Sequence, residues 1–216
     1  MLASHKEIIH NLAIAGAVVK QLDEKWVGFF TPYDHYLDNQ NAPDFVYKLS
    51  KDAPVLFFCN FEDHFWGYRI FSEGREVAYL RIFYEMEEEI IIESFKEKYP
   101  GRDILELYDE AYEEISAEIV EQCGLEKAID GLFNECNVEA FQLFGISDEQ
   151  LEKLRIILNS NYFKSHENIF DLVEEFKECV GIEEMSWISH DRVDESHTDS
   201  DVDIIDAYVY RRLIKE

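Results

Sequence analysis

Two short runs in this 216-residue chain set ionisable side chains among aromatic ones, an arrangement that makes acid–base chemistry accessible. Glu62, Asp63 and His64 precede Phe65, Trp66 and Tyr68, and Asp34 and His35 lie between Tyr33 and Tyr36. Aromatic walls strip water from an imidazole or carboxyl, and a neighbouring carboxylate favours the imidazolium, so both effects tune a histidine toward proton transfer near neutrality. If the two runs line one pocket, Glu62, Asp63, His64 and His35 are the candidate catalytic groups of a small, hydrolase-like enzyme. The competing reading is plainer: an Asp-His pair where a strand enters a loop serves turn chemistry.

A second constellation is electrostatic. Residues 85–121 carry 14 acidic and three basic side chains, a local balance of −11. Within it Glu106 and Glu110, Asp109 and Glu113, Glu110 and Glu114, and Glu114 and Glu118 are like-charge pairs one helical turn apart. Each such pair opposes an isolated helix by roughly 0.2–0.5 kcal/mol, so the four together cost about 1–2 kcal/mol before salt screens them. Interleaved lysines would remove that cost. Glu106, Asp109, Glu110, Glu113, Glu114 and Glu118 are therefore either a solvated face tolerated because tertiary packing dominates, or a surface that meets a basic partner.

The segment from Asp199 to Asp203 places carboxylates at alternate positions, as a calcium loop opens. The remainder departs from that pattern, with Ile204 where a glycine should turn the chain and Tyr210 where a bidentate Glu should close the shell. Cys59, Cys123, Cys136 and Cys179 fit neither a CxxC pair nor a zinc-ligand spacing and read as separate thiols. Nucleophile-elbow, HExxH, GxGxxG and P-loop patterns are absent. The residues call for no metal and no cofactor.

Composition narrows the partners. With 47 Asp and Glu against 20 Lys and Arg the net charge is −27. Phosphate binding requires a cationic stripe that releases counterions, so nucleic acid and an anionic membrane surface are both disfavoured. A field of this sign attracts a cationic partner. In charge and size the chain is like the anionic inhibitors and immunity proteins that neutralise basic enzymes, an analogy that transfers no residue. The preferred function is thus a non-enzymatic, acidic binding or inhibitor protein acting on a basic protein partner, with the acid–base site around Glu62, Asp63 and His64 as the alternative.

The elements that must position these groups follow from periodicity. Ile8, Leu12, Ala15, Val19 and Leu22 fall at helical spacing, which predicts a core-facing helix; Glu7 and His10 argue against a secretion signal there, and a cytoplasmic location is expected. Residues 26–30 read as a strand, and the apolar run 55–59 as a central strand buried on both faces. Residues 65–71 and 77–84 flank a polar break containing Gly74 and predict a β-hairpin. Helices are expected from Asp103 to Cys123 with a stop at Gly124, from Ser147 to Leu158, and over residues 169–180 with a stop at Gly181. Residues 185–188 suggest a short strand, and the tail from Asp203 suits either strand or helix.

The sum is an α+β chain: a sheet-rich part over 1–100 with antiparallel pairing and a helix-rich part over 101–216 with a possible returning strand. It forms one domain over 1–216, with a subdivision near residue 100 as the alternative. Thiol titration of the denatured, unreduced protein is expected to find four groups. A count of two or zero would show that the cysteines pair.

Overall fold

The alternation of residues 65–71 with 77–84 becomes an antiparallel hairpin in the computed structural model, which describes residues 1–12, 17–31, 42–61, 64–121, 124–166, 168–182 and 202–204. Its strands are β4 (Phe65–Ser72) and β5 (Arg75–Phe83), and β3 (Val55–Phe61) adds to β4 to give the order β3-β4-β5. The turn is only two residues long, because Ser72 pairs with Arg75. Glu73 and Gly74 both have positive φ, 54° and 75°, the signs that let a two-residue turn follow the twist of its strands. A bulge between Ile70 and Phe71 sets Phe71 opposite Glu76 and takes Val77 out of the ladder. The Asn137 side chain donates to the Val77 carbonyl at 2.7 Å instead.

The expectation that 55–59 is central is corrected, because β3 is an edge of this sheet and β4 is its middle. Unbroken apolarity reports how many faces are covered, not how many neighbours a strand has. Phe58 of β3 stacks on Phe176, while Val55 belongs to a different core cluster on the other face.

Pairing register sorts the side chains of this sheet into two faces. Phe58, Trp66, Tyr68, Ile70, Leu80 and Ile82 share one face and pack against Leu151 and Leu154 of α6 (Asp148–Ile157) and Leu172, Val173 and Phe176 of α8 (Ile169–Val180). Residues from both sides of position 100 thus enter one core. On the other face, Val55 and Phe71 meet Val46 and Leu49 of α2 (Asp44–Leu49) together with Val19 and Val27. A third cluster joins Ile91 and Phe95 of α3 (Met86–Lys98) to Ala111 and Ile115 of α4 (Ile104–Glu121).

Val19 corrects the first helix. α1 spans Lys6–Leu12, and Val19 lies in β1 (Val18–Gln21), paired with Phe29 of β2 (Val27–Phe30). Two adjacent β-branched residues, both buried, fit a pleated ladder better than a helix turn. On its other side β1 pairs with β6 (Val202–Ile204), so the returning strand is real at that point and completes a sheet of order β2-β1-β6. The strand expected at 185–188 and the tail beyond Ile204 lie outside the described residues.

The helix limits follow local chemistry with one exception. The Asp103 carboxylate accepts from the Leu105 N–H at 2.9 Å, Ser147 and Gln150 form a reciprocal capping box, and Gly181 ends α8 at φ 76°. Gly124, expected to stop the helix before it, instead opens α5 (Gly124–Leu132). A glycine marks a break in a helix without saying on which side the next element begins. α7 (Ser160–Ser165) connects α6 to α8. The whole is α+β, with antiparallel sheets in the N-terminal half and mostly helices in the C-terminal half. Among the described residues no helix is long and apolar enough to cross a membrane.

Phe176 is fully buried, with ring centroids 5.3 Å from Trp66, 5.3 Å from Tyr68, 5.7 Å from Phe141 and 5.8 Å from Phe58. Phe176→Ala is expected to lower unfolding free energy by about 3–5 kcal/mol in urea titration. A loss below about 1 kcal/mol would show that the neighbouring helices collapse into the void without cost.

Candidate functional site

The face of the β3-β4-β5 sheet turned away from the C-terminal helices carries a row of rings. Register places Phe61 opposite Phe65 and Phe65 opposite Phe83, and the rings follow at 5.7 Å, stacked, and 5.9 Å, edge-on. Arg81 rises beside them, its guanidinium 4.4 Å from the centres of both Phe65 and Phe83. Its cross-strand partner is Gly67, where an added Cβ would come within 2.3 Å of the Leu80 carbonyl oxygen. The close approach of the two strands therefore requires glycine, and no side chain stands opposite Arg81.

α3 leaves β5 after only two residues, so its first turn lies over this end of the sheet. Between them opens a cleft of about 500 Å³. Phe61, Phe65 and Phe83 form its aromatic side, Glu85, Glu88 and Glu89 its acidic side, and His64, Arg81 and Ile92 complete it. Carboxylates in a first helical turn are favoured by the backbone dipole, which explains why the chain tolerates them there. Burial holds the Glu89 carboxyl above the usual carboxylate range; Glu93 and Glu88 push it the same way, and Lys96 and Arg81 act against the rise. Three carboxylates face one guanidinium, and that is an excess of negative charge. The cleft offers carboxylates, an imidazole and a guanidinium, and among its described lining residues no hydroxyl or thiol.

Of the four candidate catalytic residues, only His64 falls within the described residues. It is exposed in the turn between β3 and β4, stacks on Phe61 at 5.3 Å, and lines the cleft. His35, Glu62 and Asp63 lie outside the described residues, as do Asp199 and Asp201. Asp203 of the calcium-like segment sits in β6 opposite Val19. Among the described residues no group of three His, Cys, Asp or Glu side chains could hold a metal ion. Cys136 and Cys179 are buried thiols whose acidity is suppressed by burial, Cys59 is a half-buried thiol, and Cys123 lies outside the described residues.

The acidic helices α3 and α4 meet through an apolar seam of Ile91, Phe95, Ala111 and Ile115, and exposed positions carry the charge. Glu106, Glu113 and Glu114 are exposed and Glu118 is half-exposed, with Asp109 and Glu110 on the same helix. Lys98 of α3 reaches across to Glu114 at 3.1 Å and Glu118 at 2.9 Å. That contact revises the expected repulsion, since one ammonium now sits between two like charges of α4. Arg102 lies 3.9 Å from Glu106, and Lys96 pairs with Glu93. All three cations of residues 85–121 are thus engaged with carboxylates of the same segment.

Sequence reasoning did not find Arg81, Glu85, Glu88 or Glu89 as cleft residues. One signal existed: a charged residue two positions before Phe83, on the same face of a strand that otherwise alternates with buried apolar groups. The helix that brings the three carboxylates to it leaves no such mark.

Glu89 gives the pH test. A carboxyl raised in the folded state binds its proton more tightly there than in the unfolded chain. Its stabilising contribution is therefore present below the ordinary carboxyl pKa and is lost as pH rises through the raised value. Glu89→Gln is expected to be the more stable protein at pH 7, by less than about 1 kcal/mol because solvent screens a partly exposed group, and to match wild type near pH 4. Parallel denaturation midpoints at both pH values would refute a burial-driven shift. No protein-family model, no curated protein and no solved structure matches this chain.

Proposed function

We propose that this chain is a non-enzymatic binding protein that engages a basic protein partner through the acidic surface of α3 and α4, in the manner of an anionic inhibitor. The observation that carries this reading is the surplus of exposed carboxylate on α4 after every cation of the segment has been engaged. The fold does not call for that surplus. Ile91, Phe95, Ala111 and Ile115 hold the two helices together, and like charges on the outer surface only oppose them. A basic partner supplies the missing countercharge, raises the encounter rate through the long-range field, and is favoured over nucleic acid or an anionic lipid surface by sign alone. An intracellular setting suits the reading, because the buried Cys136 and Cys179 remain thiols.

Charge reversal at Glu106 and Glu113 tests it. Both side chains are exposed, and Glu113→Lys turns a repulsive i,i+4 pair with Asp109 into an attractive one, which favours the isolated helix by roughly 0.2–0.5 kcal/mol. The double variant should therefore fold while losing its partner. Affinity capture from lysate at low and high salt, read by quantitative mass spectrometry, should show basic proteins retained by wild type at low salt and depleted with the variant. Equal recovery by the two proteins would place the function elsewhere.

A further inference from the structure

We infer that Lys98 is an autoinhibitory contact: its ammonium occupies, from within the chain, the seat on Glu114 and Glu118 that a lysine of the basic partner would take. The inference rests on the proposed binding function and deepens it by naming the contact that the partner has to displace.

The seat is complete. An ammonium has three N–H donors, and Lys98 meets three carboxylate oxygens, one of Glu114 at 3.1 Å and the two of Glu118 at 2.9 and 3.0 Å. These partners lie 16 and 20 residues further along the chain, so the contact is made by the docking of α4 on α3. Lys96 differs in that respect, since it pairs with Glu93 on its own helix. Hydrogen bonds to Glu118 and Glu114 hold the Lys98 ammonium above the usual lysine range, so neutral pH does not discharge it. Only another cation can take its place.

The fold does not need this cation where it is. Ile91, Phe95, Ala111 and Ile115 join the two helices, and an ion contact at the surface adds little beside them. The Glu114 and Glu118 side chains are 62 % and 46 % accessible, so an incoming ammonium reaches the carboxylates on their open side. Beside Lys98 opens a cleft of about 280 Å³ lined by Ser94, Glu97, Lys98, Ile115, Glu118 and Ile119. Ile115 and Ile119 offer apolar surface to the methylene stem of a lysine, and Glu97 and Glu118 offer carboxylates to its head. Three oxygens gathered around one nitrogen suit a compact ammonium better than a planar fork.

Competition of this kind sets a threshold for partners. A single cation exchanges one ammonium for another and gains little. A surface whose charges also reach Glu113, exposed on the same helix, keeps a net gain after Lys98 is displaced.

The test uses the full chain and a trilysine peptide blocked at both ends, titrated calorimetrically at low salt. Lys98→Gln should bind trilysine about fivefold more tightly than Lys96→Gln, a difference on the scale of one exposed ion pair between proteins of equal net charge. Lys98→Arg, which keeps the cation, should bind no more tightly than wild type. Adding Glu114→Gln and Glu118→Gln to Lys98→Gln should abolish the gain, and circular dichroism will show which variants fold. A second reading needs no variant: the side-chain methylene resonance next to the Lys98 ammonium should move toward that of a solvated lysine as wild type is saturated with trilysine. Equal affinity of Lys98→Gln and Lys96→Gln, an unmoved Lys98 resonance at saturation, or no binding of trilysine by any of these proteins overturns the autoinhibitory role. Capture of basic proteins that is lost with the Glu106→Lys, Glu113→Lys variant while Lys98→Gln shows no gain overturns it too, and leaves the helix surface standing; a Lys98→Gln gain alongside equal capture by wild type and that double variant supports the contact and removes the partner surface instead.

Discussion

The fold turns on one ring. Phe176 of α8 stacks on Tyr68 with the two ring planes 2° from parallel, and Phe58, Trp66 and Phe141 lie around it. Those partners come from β3, from β4 and from the turn of 3₁₀ helix at Val138–Phe144, so the same side chain fixes the sheet to the C-terminal helices. Neighbouring polar groups are arranged to suit this dry centre. Tyr68 donates its hydroxyl to the Cys136 carbonyl at 2.6 Å, and Lys177, wholly buried beside Phe176 in sequence, pairs with Glu174 at 2.5 Å. Each satisfies a donor that burial would otherwise penalise.

Committing one face of the sheet to that core decides what the opposite face can be. Arg69 and Arg81 project there, Arg69 held by Glu76 and lying over Phe71, Arg81 between Phe65 and Phe83. Cations on a strand face are costly unless rings and carboxylates receive them, and this face supplies both. The result is a graded surface, apolar where α2 packs and progressively acidic where α3 begins. The cleft is thus a by-product of where the core lies.

What was legible beforehand was local. The hairpin, the capped start of α6 and the glycine end of α8 each rest on a few adjacent residues whose conformational preferences agree. What was not legible depended on neighbours distant in sequence. The run 55–59 is apolar because each face of β3 meets a core cluster, which alternation cannot distinguish from a central position, and Val19 falls at helical spacing although Phe29 and Asp203 make it a strand residue. The site divides in the same way. His64 was named from its aromatic neighbours, and the acidic residues of α4 from their spacing. Arg81, Glu85 and the two glutamates in the first turn of α3 come to line one cleft only after a helix docks on a sheet.

β6 ties the order of synthesis to the order of folding. β1 pairs on one side with β2, nine residues further along, and on the other with residues 202–204. On the ribosome, the buried valines of β1 therefore keep an open backbone edge until residues 202–204 have been made, a template for pairing with any passing extended segment. Trp26 faces a similar wait, since its indole donates to the Val180 carbonyl at 3.3 Å. Long-range closure of this kind makes folding slower than the hairpin and the short helices would suggest.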